Sequence, residues 1–371
     1  MNLLLFVFLK KEKMWVVVML ISIFFSTLIV FTCLLPLGVL YAPRSLPRFL
    51  DRLLTRPSST HDDYGLHSQE VSFPAWQDPR VLLRGTLTFP ADLTSPPLPP
   101  TFPPSEDGRH LAPGLPNVAI EERNSGALVV VVHGHGSSRT RRAPGRASIF
   151  EKAVVPLARA GFHVLAIDLR NHGASAASGP VSFGVRESQD VLGAVQFARD
   201  QLSLREAIDP DRIGIYAESM GAAASIIALG KHPEESACVK ALWSEGAFMS
   251  FQEALSDRFS HLRIPSALHP NFLFPCVAFW GRLLASVDLY DAAPLRYISS
   301  LRAPVILSHS HRDSEVTFHH GAHLHELASA SMASAGTPPA VELFVTQELH
   351  TDSHLHPSMP QHMLQFFQQH L

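Results

Sequence analysis

The stretch IGIYAESMGAAASIIALGK, residues 213–231, changes character in its middle. Its first five residues are the β-rich, apolar kind that fill a buried strand, and its last twelve are mostly small or apolar residues, led by alanine, that form a helix. Ser219 stands at the junction. A strand that runs directly into a helix must turn sharply, which exposes the junction side chain and aims the first free helix amides at the same point. Strand and helix backbones nearly touch at such a turn, so small residues are needed two before and two after it. Ala217 and Gly221 supply them. A serine ahead of a helix is also a common cap, so the five residues AESMG alone weigh little. The strand before them and the helix after them carry the reading.

Outward from this point the pattern repeats. Short apolar runs at 128–132, 163–167, 212–216, 240–243, 304–308 and 341–345 alternate with longer segments at 148–160, 186–201, 220–231, 318–330 and 360–370. This alternation predicts an α/β fold, a mostly parallel sheet flanked by helices. Near-continuous Val, Ile and Leu in the strands implies burial on both faces. Residues 81–89 (VLLRGTLTF) read as an early antiparallel strand. Residues 246–301 separate two strands by far more than a crossover helix requires, and form the natural small lid.

With AESMG at Ser219, the chain resembles the α/β-hydrolase superfamily, although Ala217 replaces the first glycine of the usual G-x-S-x-G pattern. VVVVHGHGSS and VLAIDLRNHGAS add to the resemblance. The second of these carries Asp168, Arg170, Gly173 and Ser175 and reads as architecture. The resemblance implies Ser219 as nucleophile, with the backbone amides of His135 and Met220 as the oxyanion hole. It implies the acid from PVILSHSHRDSEV, where Asp313 lies five residues past the expected strand end at Ser308; Glu245, after the preceding strand, is the alternative. It implies the base from the loop after the last strand, which offers His350, His354, His356 and His362. His350 comes soonest after the strand, as the family pattern has it, and His354 is next. The members most similar are the esterase- and lipase-like serine hydrolases often described as abhydrolase-domain proteins.

The first 67 residues have a different character. From Met14 to Pro43 there is no charged residue, and a helix over residues 14–40, rising about 1.5 Å per residue, is long enough to span a bilayer core of about 30 Å. We therefore expect a segment at 1–13, a transmembrane helix at 14–40, a tether at 41–67 and the hydrolase domain at 68–371, with a proline-rich insertion at 90–117. Lys10, Lys11 and Lys13 before the span nearly balance Arg44, Arg48, Arg52 and Arg56 after it, which leaves a single-pass orientation open.

A formal net charge of -3 gives no global attraction to nucleic acid. Cys33, Cys238 and Cys276 form neither a disulfide framework nor a CxxC site. The 21 histidines allow zinc to be imagined at HGHG, at His350, His354 and His356, or at His319, His320 and His323, but metal binding usually also wants a fixed carboxylate or thiolate and an orienting set of neighbours, and nothing in the sequence demands it. No metal or cofactor is expected. Arg139, Arg141, Arg142 and Arg146 cluster after the HGHG loop, either as a receiver for an anionic substrate end or as a solvated loop. The sequence thus points to a membrane-anchored serine hydrolase that cleaves an ester-type bond of a small-molecule or lipid acyl substrate. Thioesterase and peptidase chemistry on the same residues, or a non-catalytic binding module, are the alternatives.

Overall fold

The structure, a computed structural model, describes residues 56–57, 64–91, 126–142, 147–206, 208–260, 270–334 and 341–371. Its frame is an eight-stranded sheet of β2 (Ser68–Ala75), β3 (Asp78–Thr88), β4 (Leu128–Val132), β6 (His163–Asp168), β7 (Ile213–Glu218), β8 (Val239–Glu245), β9 (Val305–Ser310) and β10 (Val341–Thr346). The spatial order is β10-β9-β8-β7-β4-β6-β3-β2. β2 and β3 are antiparallel to each other and β3 to β6; all other pairings are parallel. A separate two-residue pairing joins β1 (Arg56–Pro57) to β5 (Arg141–Arg142).

The LVVVV run of β4 feeds two cores. Leu128, Val130 and Val132 pack on one face, under α2 (Glu187–Phe197), α3 (Met220–Lys231) and α6 (Phe318–Ser334). Val129 and Val131 pack on the other, under α1 (Val155–Arg159) and α7 (Met359–His370). A strand buried on both faces cannot afford a polar position, and this run has none. The chain leaves β4 for β6 on one side and leaves β7 for β8 on the other, so neighbouring strands β4 and β7 diverge in their connections. The crevice outside their carboxyl ends is where open α/β sheets bind ligands.

Several boundaries differ from the sequence reading. β2 was not expected, because SQEVSFPA is polar and contains Pro74; as the edge strand it keeps its first residues exposed and tolerates the proline. Tyr64 and Leu66 are buried and Arg56–Pro57 pairs with β5, so the expected tether at 41–67 ends earlier than Ser68. β9 runs on to Ser310 because its polar end pairs with β10 as far as Thr346, which sets Asp313 three residues past the strand. The helix expected at 148–160 opens with a π-helical turn, Phe150–Val154. Residues 246–301 carry α4 (Phe251–Ser260) and α5 (Pro270–Ala285) around a small apolar core of Phe274, Ala278, Val287 and Leu289. The expected transmembrane helix at 14–40 and nearly all of the proline-rich insertion lie outside the described residues. Among the described residues no helix is long and apolar enough to cross a membrane.

Candidate active site

Ser219 occupies the bend between β7 and α3 with φ 51 and ψ -118, a conformation that a non-glycine residue holds only where its surroundings impose it. The surroundings are visible. Its N–H donates to the Glu245 carbonyl at 2.7 Å, and its carbonyl accepts from Ala223 at 2.9 Å. A Cβ at Gly221 would stand 2.5 Å from the His133 carbonyl oxygen and 2.8 Å from that of Val132. Both are backbone atoms with no freedom to retreat, so the helix can approach β4 only through glycine there. Ala217, by contrast, is fully buried with its methyl group accommodated in the core.

The structure brings together the three side chains that the sequence singled out. His350 Nε2 lies 2.9 Å from Ser219 Oγ, and His350 Nδ1 lies 2.6 Å from Asp313 Oδ2. The other oxygen of Asp313 accepts the amides of Glu315 and Val316, each at 2.9 Å. Burial pushes the Asp313 carboxyl up, but its hydrogen bond to His350, the His350 charge and the Val316 amide outweigh it and hold the group below its ordinary value. An ionised carboxylate at Nδ1 keeps the proton there and leaves Nε2 free to accept from the serine hydroxyl.

Met220 is the first residue of α3, so no helical turn engages its amide. His135 lies in the turn that follows β4. Among the described residues neither amide has a hydrogen-bond partner. Gly134, one residue before, brings this turn so close that a Cβ on it would meet Ser219 Cβ at 3.1 Å.

The alternatives are sorted by their surroundings. Glu245 is not near His350 Nδ1 in the manner of an acid; its carboxylate accepts from Ser353 N at 3.0 Å and from the Tyr216 hydroxyl at 2.7 Å. His354 is buried with neither ring nitrogen hydrogen-bonded, and burial holds it well below its ordinary value, hence neutral. His362 Nε2 pairs with Glu342 at 2.9 Å, and the His356 ring packs edge-on against Phe344.

Two of the histidines imagined at zinc sites, His133 and His320, have ring nitrogens engaged by the backbone. His133 Nδ1 bonds to the Gly134 carbonyl at 2.7 Å and its Nε2 accepts from Leu169 at 3.1 Å, so no lone pair remains. His319 and His320 gather with Asp257, a carboxylate 60 or more residues away that the sequence reading does not place beside them, and His323 is not in that group. His320 Nδ1 accepts from Met249 N at 3.2 Å, which puts the ring proton on Nε2, 3.2 Å from the Asp257 carboxylate. Arg139, read from sequence as part of a receiver for an anionic substrate end or of a solvated loop, is buried instead. It pairs with Asp168 at 2.6 Å and Glu70 at 2.5 Å. In the DLRNHGAS segment, Arg170 grips Asp190 through Nε at 2.9 Å and through a second nitrogen at 2.7 Å, and the Ser175 hydroxyl donates to the Asp168 carbonyl at 2.5 Å.

A family model for the alpha/beta hydrolase fold matches residues 127–294. A Bacillus subtilis (strain 168) protein described as uncharacterized protein YqkD is 29% identical over 157 residues, 42% of this chain and 48% of that protein; the match spans about half of that relative's length. Among solved structures, the Pyrococcus furiosus esterase Pf2001 superimposes with a TM-score of 0.56 at 19% identity, over 84% of this chain and 96% of that one. A Pyrococcus horikoshii acylaminoacyl peptidase superimposes with a TM-score of 0.54 at 16% identity, over 83% of this chain and 42% of that one. At these identities the likeness is one of fold. The family match over residues 127–294 and the sheet order agree with it: the chain carries the α/β-hydrolase fold, which supports a place in that superfamily.

Proposed function

We propose that the protein is a membrane-anchored serine hydrolase that cleaves an ester-type acyl bond. One observation carries the reading: an unbroken line from Ser219 Oγ through His350 to Asp313, at 2.9 and 2.6 Å, ending on a serine held at φ 51. In this reading His350 takes the hydroxyl proton as Oγ attacks the substrate carbonyl, and the Met220 and His135 amides receive the oxyanion. The tetrahedral intermediate collapses to an acyl-enzyme, and His350 passes its proton to the departing alcohol. Water, deprotonated by the same imidazole, then releases the acid. Asp313 orients the ring and stabilises its charged form without taking the proton.

Two features favour a lipophilic acyl group. The charge-free stretch from Met14 to Pro43 suits a single-pass anchor. On α5, between β8 and β9, Phe279 and Leu283 are each 60% exposed, four residues apart on one face of a helix, an unusual density of apolar surface in the segment read as a lid. The peptidase neighbour supports the fold, and this chain matches less than half of it. Hydrolysis of p-nitrophenyl esters of graded chain length tests the proposal. A rate that rises from acetyl toward longer acyl groups is expected; no turnover of any ester by folded protein, with turnover of an acyl-peptide anilide, would move the activity to the peptidase class.

A further inference from the structure

His350 reaches Ser219 on a short loop, residues 349–353, that is held from two sides. Thr351, immediately after His350, has φ 54, a left-handed conformation that a β-branched residue adopts only under constraint. Its carbonyl accepts from Lys152 Nζ at 2.9 Å. Two residues after Thr351's partner contact begins, at Ser353, the amide donates to Glu245 Oε1 at 3.0 Å. On another flank the loop faces β9 and β10. Thr351 and Ser353 line a cavity of about 10 Å³ there, with Ser308 and Thr346. The hydroxyls of Ser308, Thr346 and Ser353 have no hydrogen-bond partner among the described residues.

Lys152 lies in the π-helical turn Phe150–Val154, a distortion found disproportionately at functional sites. Its buried ammonium is 2.6 Å from Glu218 Oε1, and Glu218 directly precedes Ser219. The Tyr216 hydroxyl, 2.7 Å from Glu245 Oε2 and 3.2 Å from Glu218 Oε1, links the two carboxylates. The Glu245 backbone carbonyl in turn holds the Ser219 amide. Burial alone would neutralise Lys152, but the charges of Glu218, Glu245 and Asp352 outweigh it and keep the ammonium protonated. One buried cation therefore joins the residue before the serine to the residue after the histidine, beside the link that Glu245 makes between the Ser219 and Ser353 amides.

We propose that Lys152 is a positioning residue: by tying Glu218 to the Thr351 carbonyl, its ammonium sets the approach of the His350 ring to Ser219 Oγ. The proposal rests on the reading of Ser219 and His350 as nucleophile and base.

In Lys152→Met we expect kcat on a p-nitrophenyl ester to fall about 10- to 100-fold with KM within about twofold, as a small misplacement of reacting groups does. The rate of fluorophosphonate labelling should fall in parallel. Because Lys152→Met leaves a buried carboxylate unpaired, Lys152→Met/Glu218→Gln serves where the single variant does not fold. The double variant removes both charges and still has no donor for Thr351, so it should fold with the same loss in kcat. A folded variant, single or double, with wild-type kcat and labelling rate overturns the proposal, as does a change confined to KM. Ser219→Ala and His350→Ala separate the two ideas. If both retain turnover, the hydrolase reading itself fails; if both lose it while the Lys152 variants keep it, only the role of Lys152 fails.

Discussion

Ser219 and Gly221 depend on each other at atomic distance. Adding one methyl group at Gly221 drives it against two backbone carbonyls, so Gly221→Ala must push α3 away from β4 or leave Ser219 its unusual φ at the cost of a clash. We expect a loss of about 1–3 kcal/mol in stability, as overpacking of a well-filled site gives, read from urea unfolding, together with slower probe labelling. Asp313 makes a pH-dependent contribution whose sign follows from its depressed pKa. The native state favours its ionised form, so the stabilisation is complete above the ordinary value of 3.8 and drains away as the pH falls through the lower folded value. Asp313→Asn should therefore be less stable than wild type at pH 7, with the difference closing in acid, and should lose about 10⁴-fold in kcat. A stability difference that stays constant from pH 7 to pH 3 would contradict this account. The bend was legible in the sequence because its glycine, serine and flanking periods are local. The choice among four histidines was not fully so, since what separates His350 from His354 is which of them meets a carboxylate brought from 37 residues away.

At the scale of elements, the polar DLRNHGAS segment ties β6 to α2. Arg170 and Asp190 are both buried and bond through two guanidinium nitrogens and the Arg170 amide. Removing one partner strands the other, and Asp190→Ala should cost about 3–5 kcal/mol, whereas substitutions at Arg199 or Asp200, a pair at the surface, should stay within about 0.5 kcal/mol. Urea unfolding of the two sets side by side checks the contrast; equal costs would refute it. The parallel strands could be placed from sequence because burial on both faces writes a continuous apolar run. β2 could not, since an edge strand needs an apolar residue only at Phe73 and Ala75. The extension of β9 through His309 and Ser310 was equally hidden, as its cause is pairing with β10, and so was the π-helical turn that carries Lys152. Arg139 illustrates the same limit: a charge in an arginine-rich loop reads as solvated until Asp168 and Glu70 are seen beside it.

For the molecule as a whole, the sheet order puts the loops after β4 and β7 side by side, and these are the loops that hold His135 and Ser219. The proposed anchor and the hydrolase domain make separable predictions. Full-length protein should remain in the membrane fraction through alkaline carbonate extraction, and a chain beginning at Ala42 should leave it while keeping its activity on a soluble ester; extraction of the full-length chain would refute the anchor and leave the site untouched. The central claim is that the Ser219 hydroxyl is the nucleophile, and it is tested most directly by mass spectrometry of the full-length protein after reaction with a fluorophosphonate. The account predicts one adduct, on the peptide carrying Ser219, absent from Ser219→Ala and strongly slowed in His350→Ala. A folded wild-type protein that takes no adduct, or takes it on another residue at the same rate in Ser219→Ala, would contradict it.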